Sequence, residues 1–321
     1  MTTSAPVAPA TAPAPAPSSP RTLLAVAGGL VVLLTLLVSA FTWPPSELEP
    51  RSLPIVVVGD DETGAQVVAG LEAAAGEDAF DVEFVPGRAE AVAAIEDRDA
   101  YGALLPAEGE LLVASAAGPT VAQLLTQVAR ASQPAVTVTD VVPTPDDDPR
   151  GMAFTAAALP LVLGGIATGV LTSMVLTRTR DRVAGAALVA GAGGLVLTGL
   201  VQGWLGALEG GYLANSGVVA LGIAAVALTI IGLRHVLGRP GIAVGALLML
   251  LVGNPLSAVS SAPELIPLGF LGQLLPPGAF GSALRSTAFF DGAAVTAPLL
   301  VLAAWIAGGL LLALTPVRTE R

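Results

Sequence analysis

Residues 23–41 read LLAVAGGLVVLLTLLVSAF, an apolar run without a charged side chain. A helix needs about 20 mostly apolar residues to cross the hydrocarbon core of a bilayer, so this run predicts a membrane span. Acidic and polar chain follows it from residue 43 to residue 150, and a block of further apolar runs then extends to the C-terminus. This order predicts a membrane anchor, an extracytoplasmic domain and a helical membrane bundle in one chain.

The composition supports that reading, because 54% of the residues are hydrophobic and 12% are charged, whereas soluble domains carry about 25% charged residues. Runs that lack Asp, Glu, Lys, Arg and His predict five further spans at residues 152–177, 183–205, 212–233, 241–259 and 293–314. The predicted fold class is a multi-pass α-helical membrane protein of about six transmembrane helices. An extracytoplasmic α/β domain is inserted between helices 1 and 2.

These runs define the expected domain boundaries. We expect a disordered Pro/Ala-rich cytoplasmic tail at 1–21, a first transmembrane helix at 22–42 and the acidic domain at 43–150. A five-helix membrane block is expected at 151–316, with a re-entrant segment at about 254–291, and a cytoplasmic tail at 317–321.

Arginines in the short loops predict the orientation, since cytoplasmic loops are enriched in basic residues. If the chain has six spans, all the short loops and tails that contain arginine lie on one side of the membrane. Their arginines are Arg21, Arg178, Arg180, Arg182, Arg234, Arg239, Arg318 and Arg321. Trp43, Trp204 and Tyr212 fall at the opposite boundary, where amphipathic rings favour the headgroup layer. We therefore expect a plasma-membrane protein with both termini in the cytoplasm. Cleavage after residues 38–40 as a signal peptide remains an alternative, although the apolar run exceeds a signal h-region of about 7–15 residues.

The acidic domain excludes several classes of function. Residues 43–150 hold twenty acidic residues against five Arg, a net charge of −15, which repels nucleic acid. The chain has no Cys, and this domain has no His or Lys, so a Ser–His–Asp triad, a thiolate site and a His-based metal site are excluded there. We predict neither an enzyme nor a metal site. The acidic run at 146–148 is a solvated linker or a set of oxygen ligands for Ca²⁺.

Short β-branched runs alternate with helical patterns in this domain and predict a small α/β fold with a largely parallel sheet. Strands are predicted at residues 54–58, 80–85, 101–105, 111–114 and 135–142. Helices are predicted at 62–75 and 88–97, and a third contains Val121, Leu124, Leu125 and Val128 on one apolar face.

Glycines four residues apart occur in two predicted spans: Gly165 and Gly169, then Gly199 and Gly203. This spacing permits close approach of helices. It predicts packing within the chain or, alternatively, a dimer seam.

Residues 253–292 are apolar enough to enter a membrane, yet five prolines interrupt them. Proline removes a backbone N–H and clashes with the preceding turn, so a straight helix is excluded. We predict two short re-entrant or interfacial helices on the outer side, with a simple structural plug as the alternative. The candidate residues for a substrate pathway or gate are Asn254, Pro255, Glu264, Pro267, Pro276, Pro277, Arg285 and Asp291.

The motifs in this segment are GNPLS at 253–257, PELIP at 263–267, LPPGA at 275–279 and Leu284-Arg285, with DPRG at 148–151 before the second span. Together with the topology, they resemble the membrane subunits of ABC-2-type transporters, and in particular the YhgE/Pip-like (phage infection protein-like) branch. The resemblance implies six spans per subunit and pairing as a homodimer or as a heterodimer with another permease subunit. It also implies a separate ABC ATPase that binds ATP, so no cofactor is expected in this chain.

The sequence thus predicts a permease-like subunit of an ABC-2-type export system that moves an amphipathic or envelope-related substrate. Its partners would be membrane lipid and the ATPase, with no nucleic acid. The alternative is a non-transporting envelope scaffold, surface receptor or assembly factor of the same fold.

Overall fold

A computed structural model describes residues 19–59 and 61–316 of the chain. The predicted C-terminal tail and nearly all of the N-terminal tail lie outside this range. The chain divides into two compact units, Met1–Ser39 and Ala40–Arg321. The first helix, α1, spans Pro20–Ser46, so it begins in the first unit and ends in the second. It contains the most apolar window of the candidate membrane helices, with a mean hydropathy of 2.6.

A five-stranded mixed sheet follows α1, in the order β2-β1-β3-β4-β5. The strands are β1 Leu53–Val58, β2 Phe80–Val85, β3 Gly102–Leu105, β4 Glu110–Val113 and β5 Thr137–Asp140. The helices of this α/β segment are α2 Asp61–Ala75, α3 Arg88–Glu96 and α4 Pro119–Ser132. Strand pairs β1–β2, β1–β3 and β4–β5 are parallel. Strands β3 and β4 are antiparallel, because a short turn joins them and no crossover helix intervenes.

Both faces of the sheet are covered, which explains the continuous apolar runs in its central strands. Side chains of a strand alternate between the two faces. Leu53 and Ile55 accordingly join one buried cluster, with residues of α2 and α4, while Val56 joins a second cluster with residues of α3.

Five helices are long and apolar enough to cross a membrane, by length and composition, within the described residues: α1, α5 Met152–Val175, α6 Thr179–Thr198 with its π-helical extension Gly199–Trp204, α7 Tyr212–Leu237 and α11 Thr296–Leu314. Helix α7 is central, since 72% of its apolar window is buried and it packs against α5, α6 and α11. This arrangement is that of a multi-pass helical membrane protein.

The span predicted at 241–259 does not form one long helix. Helix α8 covers Arg239–Leu247, a π-helical turn covers Leu248–Gly253, and a 3-10 turn at Pro255–Ser257 follows. Pro255 has no N–H to continue the helical ladder, and Ala258 then takes a left-handed conformation with φ of 55°. The stretch Arg239–Gly253 is therefore shorter than the five candidate spans.

The Pro-rich region between α8 and α11 contains a 3-10 turn at Pro263–Leu265, the one-turn helix α9 at Gly269–Gln273 and the longer helix α10 at Pro276–Phe289. Its backbone is packed tightly, since a Cβ atom at Gly272 would collide with the carbonyl of Leu256. Glycine is the residue that permits such close approach of two backbones. We call residues 254–275, between α8 and α10, the broken segment.

The glycine pair in α5 packs within the chain. A Cβ atom at Gly165 would lie 2.9 Å from Val226 Cβ, and one at Gly169 would lie 2.9 Å from Ile230 Cβ, both on α7. In the other predicted pair, Gly203 has no described atom close to its Cβ position. Gly199, the other member of that pair, has the Tyr212 hydroxyl of α7 3.3 Å from its Cβ position, so of the two predicted pairs the α5 pair alone has both glycines in close contact with another helix.

Substitution of Gly169 by Ala should destabilise the α5–α7 contact by about 1–3 kcal/mol, because an overpacked core must shift its backbone. The matched control is Gly164→Ala on the same helix, where the Cβ position is open. In detergent, we expect Gly169→Ala to unfold at a lower temperature than the native chain. We expect Gly164→Ala to unfold at the same temperature as the native chain. Equal unfolding temperatures for both variants would contradict the packing described here.

Candidate functional site

Arg285 of α10 is buried, with 5% of its surface exposed. Its Nε donates to the carbonyl of Ala116 at 3.1 Å, and its Nη2 donates to the carbonyl of Val259 at 2.7 Å. The guanidinium also lies 5.0 Å from the centre of the Phe154 ring. This single side chain therefore joins the α/β segment, the broken segment and the first turn of α5.

Arg285 has no carboxylate within ion-pair distance in the described parts of the chain. A buried cation without any compensation is strongly unfavourable. Here two backbone carbonyl dipoles and the negative face of an aromatic ring supply the compensation. The two carbonyls belong to the backbone and the ring is carried by α5, so full compensation of the charge requires all three parts of the fold.

A second arginine reaches α10 from the α/β segment. Arg98 follows α3 in a left-handed conformation with φ of 64°. Its Nη1 donates to the carbonyl of Ser282 at 3.1 Å and to Oγ of Ser286, and its guanidinium lies 5.3 Å from the centre of the Phe290 ring. Burial lowers the pKa of Arg98. Arg98 and Arg285 thus hold α10 against the sheet in the same manner, through carbonyls or hydroxyls and an aromatic ring.

Glu264 lies near Arg98 and accepts a hydrogen bond from the Tyr101 hydroxyl at 3.0 Å. Burial, followed by the nearby Glu264 charge, raises the pKa of Tyr101, so its hydroxyl stays protonated and donates. The backbone of Glu264 accepts from the N–H of Arg51 at 3.0 Å. We call the cluster of Arg98, Tyr101, Glu264 and Arg285 the junction.

Apolar contacts reinforce the junction on both faces of the sheet. Ala262 and Leu265 of the broken segment are completely buried in the cluster that includes Leu53. Phe290, just after α10, enters the cluster on the other face. The α/β segment is therefore clamped from both sides by the chain between α8 and α11.

A cavity of about 300 Å³ adjoins the junction. It lies between the end of α1, α5, the start of α4 and the broken segment. No charged side chain occurs among the described residues that line it. Its walls combine apolar residues with hydroxyl and amide groups: Phe41, Pro44, Leu48, Leu159, Ile266, Thr120, Thr155, Asn254, Ser257, Ser260 and Ser261. Such a mixed lining suits an amphipathic molecule better than an ion.

The structure divides the predicted site residues into groups. Asn254 and Pro255 line the cavity, whereas Glu264 and Arg285 belong to the junction. Pro276 and Pro277 are buried at the start of α10 and face α7. Two residues belong to neither place: Pro267 lies in the turn before α9, and Asp291 is exposed in a left-handed turn after α10, with φ of 50°.

The sequence analysis missed Arg98 and Tyr101. Arg98 stands in the charged run Glu96-Asp97-Arg98-Asp99, which is typical of a solvated surface, and no local pattern predicts its contact with α10. The Asp146–Asp148 run also has a defined role at one position. The Asp148 carboxylate accepts from the N–H groups of Met152, Ala153 and Phe154 and so caps α5.

No group of three or more His, Cys, Asp or Glu side chains that could hold a metal ion occurs in residues 19–59 and 61–316. Comparison of the chain with protein-family models, with curated proteins and with solved structures found no match.

Replacement of Arg285 by Lys should weaken the junction, because an ammonium group cannot donate to both carbonyls in the planar geometry of guanidinium. Each hydrogen bond to a charged group contributes about 1.5–3 kcal/mol, so we expect a clear fall in unfolding temperature and faster proteolysis of residues 110–150. The control is Arg130→Lys on α4, an exposed arginine with the same change of chemistry. Equal proteolysis of the two variants would show that Arg285 does not hold the α/β segment.

The raised pKa of Tyr101 predicts a pH dependence of stability. Tyrosine ionises near pH 10 in the unfolded chain, while the buried hydroxyl resists ionisation. The stabilisation is therefore complete below about pH 10 and is lost as the pH rises above it. Between pH 9 and pH 11 (about one unit either side of that value), the thermal unfolding temperature of the native chain should fall more steeply than that of Tyr101→Phe. Parallel pH profiles would contradict the burial of this hydroxyl.

Proposed function

We propose that this chain is a permease-like membrane subunit of an ABC-2-type export system, which handles an amphipathic or envelope-related substrate together with a separate ATPase. The cavity beside the junction carries the proposal. It combines apolar walls with hydroxyl groups and lies where the helical ladder is broken at Pro255. Irregular backbone at membrane depth is tolerated where it is buried in protein or lines a cavity.

The proposed topology has six crossings. Five are the candidate helices, and the sixth passes through α8 and the start of the broken segment toward the junction. Both termini would be cytoplasmic and residues 43–150 extracytoplasmic. The positions of Arg178, Arg234 and Arg239 at the ends of helices remote from the junction support this orientation.

A specific observation favours the alternative of a non-transporting envelope scaffold. Helix α5 ends at Val175 and α6 begins at Thr179, so this loop has no room for a helix that could dock an ATPase. In that case the α/β segment, which is held rigidly by the junction, would carry the function by binding an envelope partner.

Purification from native membranes in mild detergent, with mass spectrometry of the co-eluting proteins, separates the two proposals. The permease proposal expects a stoichiometric ATPase whose ATP turnover depends on this chain. Recovery of the chain alone, or with other envelope proteins and no ATPase, would overturn it and favour the scaffold.

The cavity can be tested in the same complex. Leu159→Trp should fill it, because Leu159 lines the cavity on α5, and substrate-dependent ATP turnover should then fall at least about tenfold, a cost of about 1.4 kcal/mol. The matched control is Leu163→Trp, one turn further along α5 at an exposed position. If the two variants turn over ATP equally, the cavity is not part of the pathway.

A further inference from the structure

A second cavity lies at the opposite end of the helical block, where α5 and α7 end and α8 begins. Its volume is about 530 Å³, and it is lined by Ser173 and Met174 of α5, Arg234 of α7, and Arg239, Ile242, Ala243 and Ala246 of α8. None of these residues belongs to the junction, and the proposed export function uses Arg234 and Arg239 only as markers of orientation.

Two polar atoms of the lining residues are buried without a hydrogen-bond partner in the described chain, Oγ of Ser173 and Nε of Arg234. Ser173 is 2% exposed. An unpaired buried donor costs about 1–3 kcal/mol, more when it is charged. Such groups in native structures commonly indicate a missing water or ion. Both atoms belong to residues that line the cavity, so the described chain leaves unpaired donors beside it.

The charge around the cavity identifies the sign of that group. Arg234 and Arg239 line it, and Arg182 lies close enough to Arg234 for the two like charges to interact. No acidic side chain is found among the described residues of the lining. The nearby Asp181 is paired with Arg180, with Oδ1 of the aspartate 3.3 Å from Nε of the arginine. The cavity thus concentrates positive charge that nothing in its lining neutralises.

We propose that this cavity binds the phosphate group of an anionic phospholipid. Guanidinium groups match the geometry of phosphate oxygens and donate to them in pairs, and Arg234 and Arg239 both line the cavity. Basic pockets between membrane helices are suited to lipid head groups. Met174, which is 72% exposed, and Ile242 provide apolar surface beside the arginines for the glycerol and acyl portions. This apolar surface favours a lipid over free phosphate as the source.

Binding is tested with the full-length chain in a neutral detergent, titrated separately with short-chain phosphatidylglycerol, short-chain phosphatidylcholine and inorganic phosphate. The readouts are the rise in thermal unfolding temperature and the lipid retained in native mass spectrometry. We expect phosphatidylglycerol to bind more tightly than phosphatidylcholine, and Arg234→Gln to weaken it by about fivefold, as for the loss of one arginine near an anionic head group. The control Arg178→Gln removes an equal charge at the same end from an exposed position outside the cavity, and should change binding by less.

A second pair of variants leaves the charge unchanged and does not depend on the folding of Arg234→Gln. Ala243→Trp places a large side chain at an exposed position of the lining and should block the lipid. Val244→Trp, adjacent on the same helix, does not line the cavity and should bind normally.

Three outcomes would overturn the proposal. One is equal affinity for phosphatidylglycerol and phosphatidylcholine. Another is equal binding by Ala243→Trp and Val244→Trp. The third is inorganic phosphate binding as tightly as phosphatidylglycerol, since this would identify free phosphate as the ligand.

Discussion

The buried guanidinium of Arg285 is the interaction on which the rest of the structure depends. It is surrounded by the carbonyls of Ala116 and Val259 and the ring of Phe154, which belong to three different parts of the chain. Removal of any of these partners would leave the desolvated charge with less compensation, which is costly for a buried ion. The α/β segment, the broken segment and α5 therefore reach their final positions together, and the division of the chain into compact units keeps all three in one unit, Ala40–Arg321.

This constraint also explains how irregular backbone persists beside apolar helices. The broken segment cannot form a continuous helical ladder, because its prolines lack N–H groups. Its carbonyls are instead used individually: Val259 accepts from Arg285, and Leu265 accepts from the N–H of Glu49 and from Nη1 of Arg51. The carbonyls of the broken segment are held one by one, and side chains with hydroxyl groups lie between them. Such a backbone does not pack as densely as a regular helix, and the cavity lies beside it.

The sequence predicts the long elements well and the junction poorly. The apolar runs give the helices α5, α6, α7 and α11, and the β-branched runs give the five strands, because both patterns are local. For residues 241–259, composition alone overestimates the length of the helix, because the Asn254-Pro255 step ends it. Glu264 and Arg285 stand out as isolated charges in an apolar stretch, whereas Arg98 stands among other charges. Its burial is decided by contacts with Ser282 and Ser286, which are remote in sequence, so no local rule could find it.

The arginines at the two ends of the helical block differ in their hydrogen-bond partners, and this difference distinguishes a structural role from a binding role. At the junction, Nε and Nη2 of Arg285 donate to protein carbonyls, and the guanidinium lies against an aromatic ring. At the other end, Nε of Arg234 and Oγ of Ser173 have no acceptor within the described part of the chain, although both are buried. Buried donors without a partner in the chain can be completed by water or by a ligand. The junction is therefore better understood as the element that fixes the shape of the neighbouring cavity than as the place where a ligand binds.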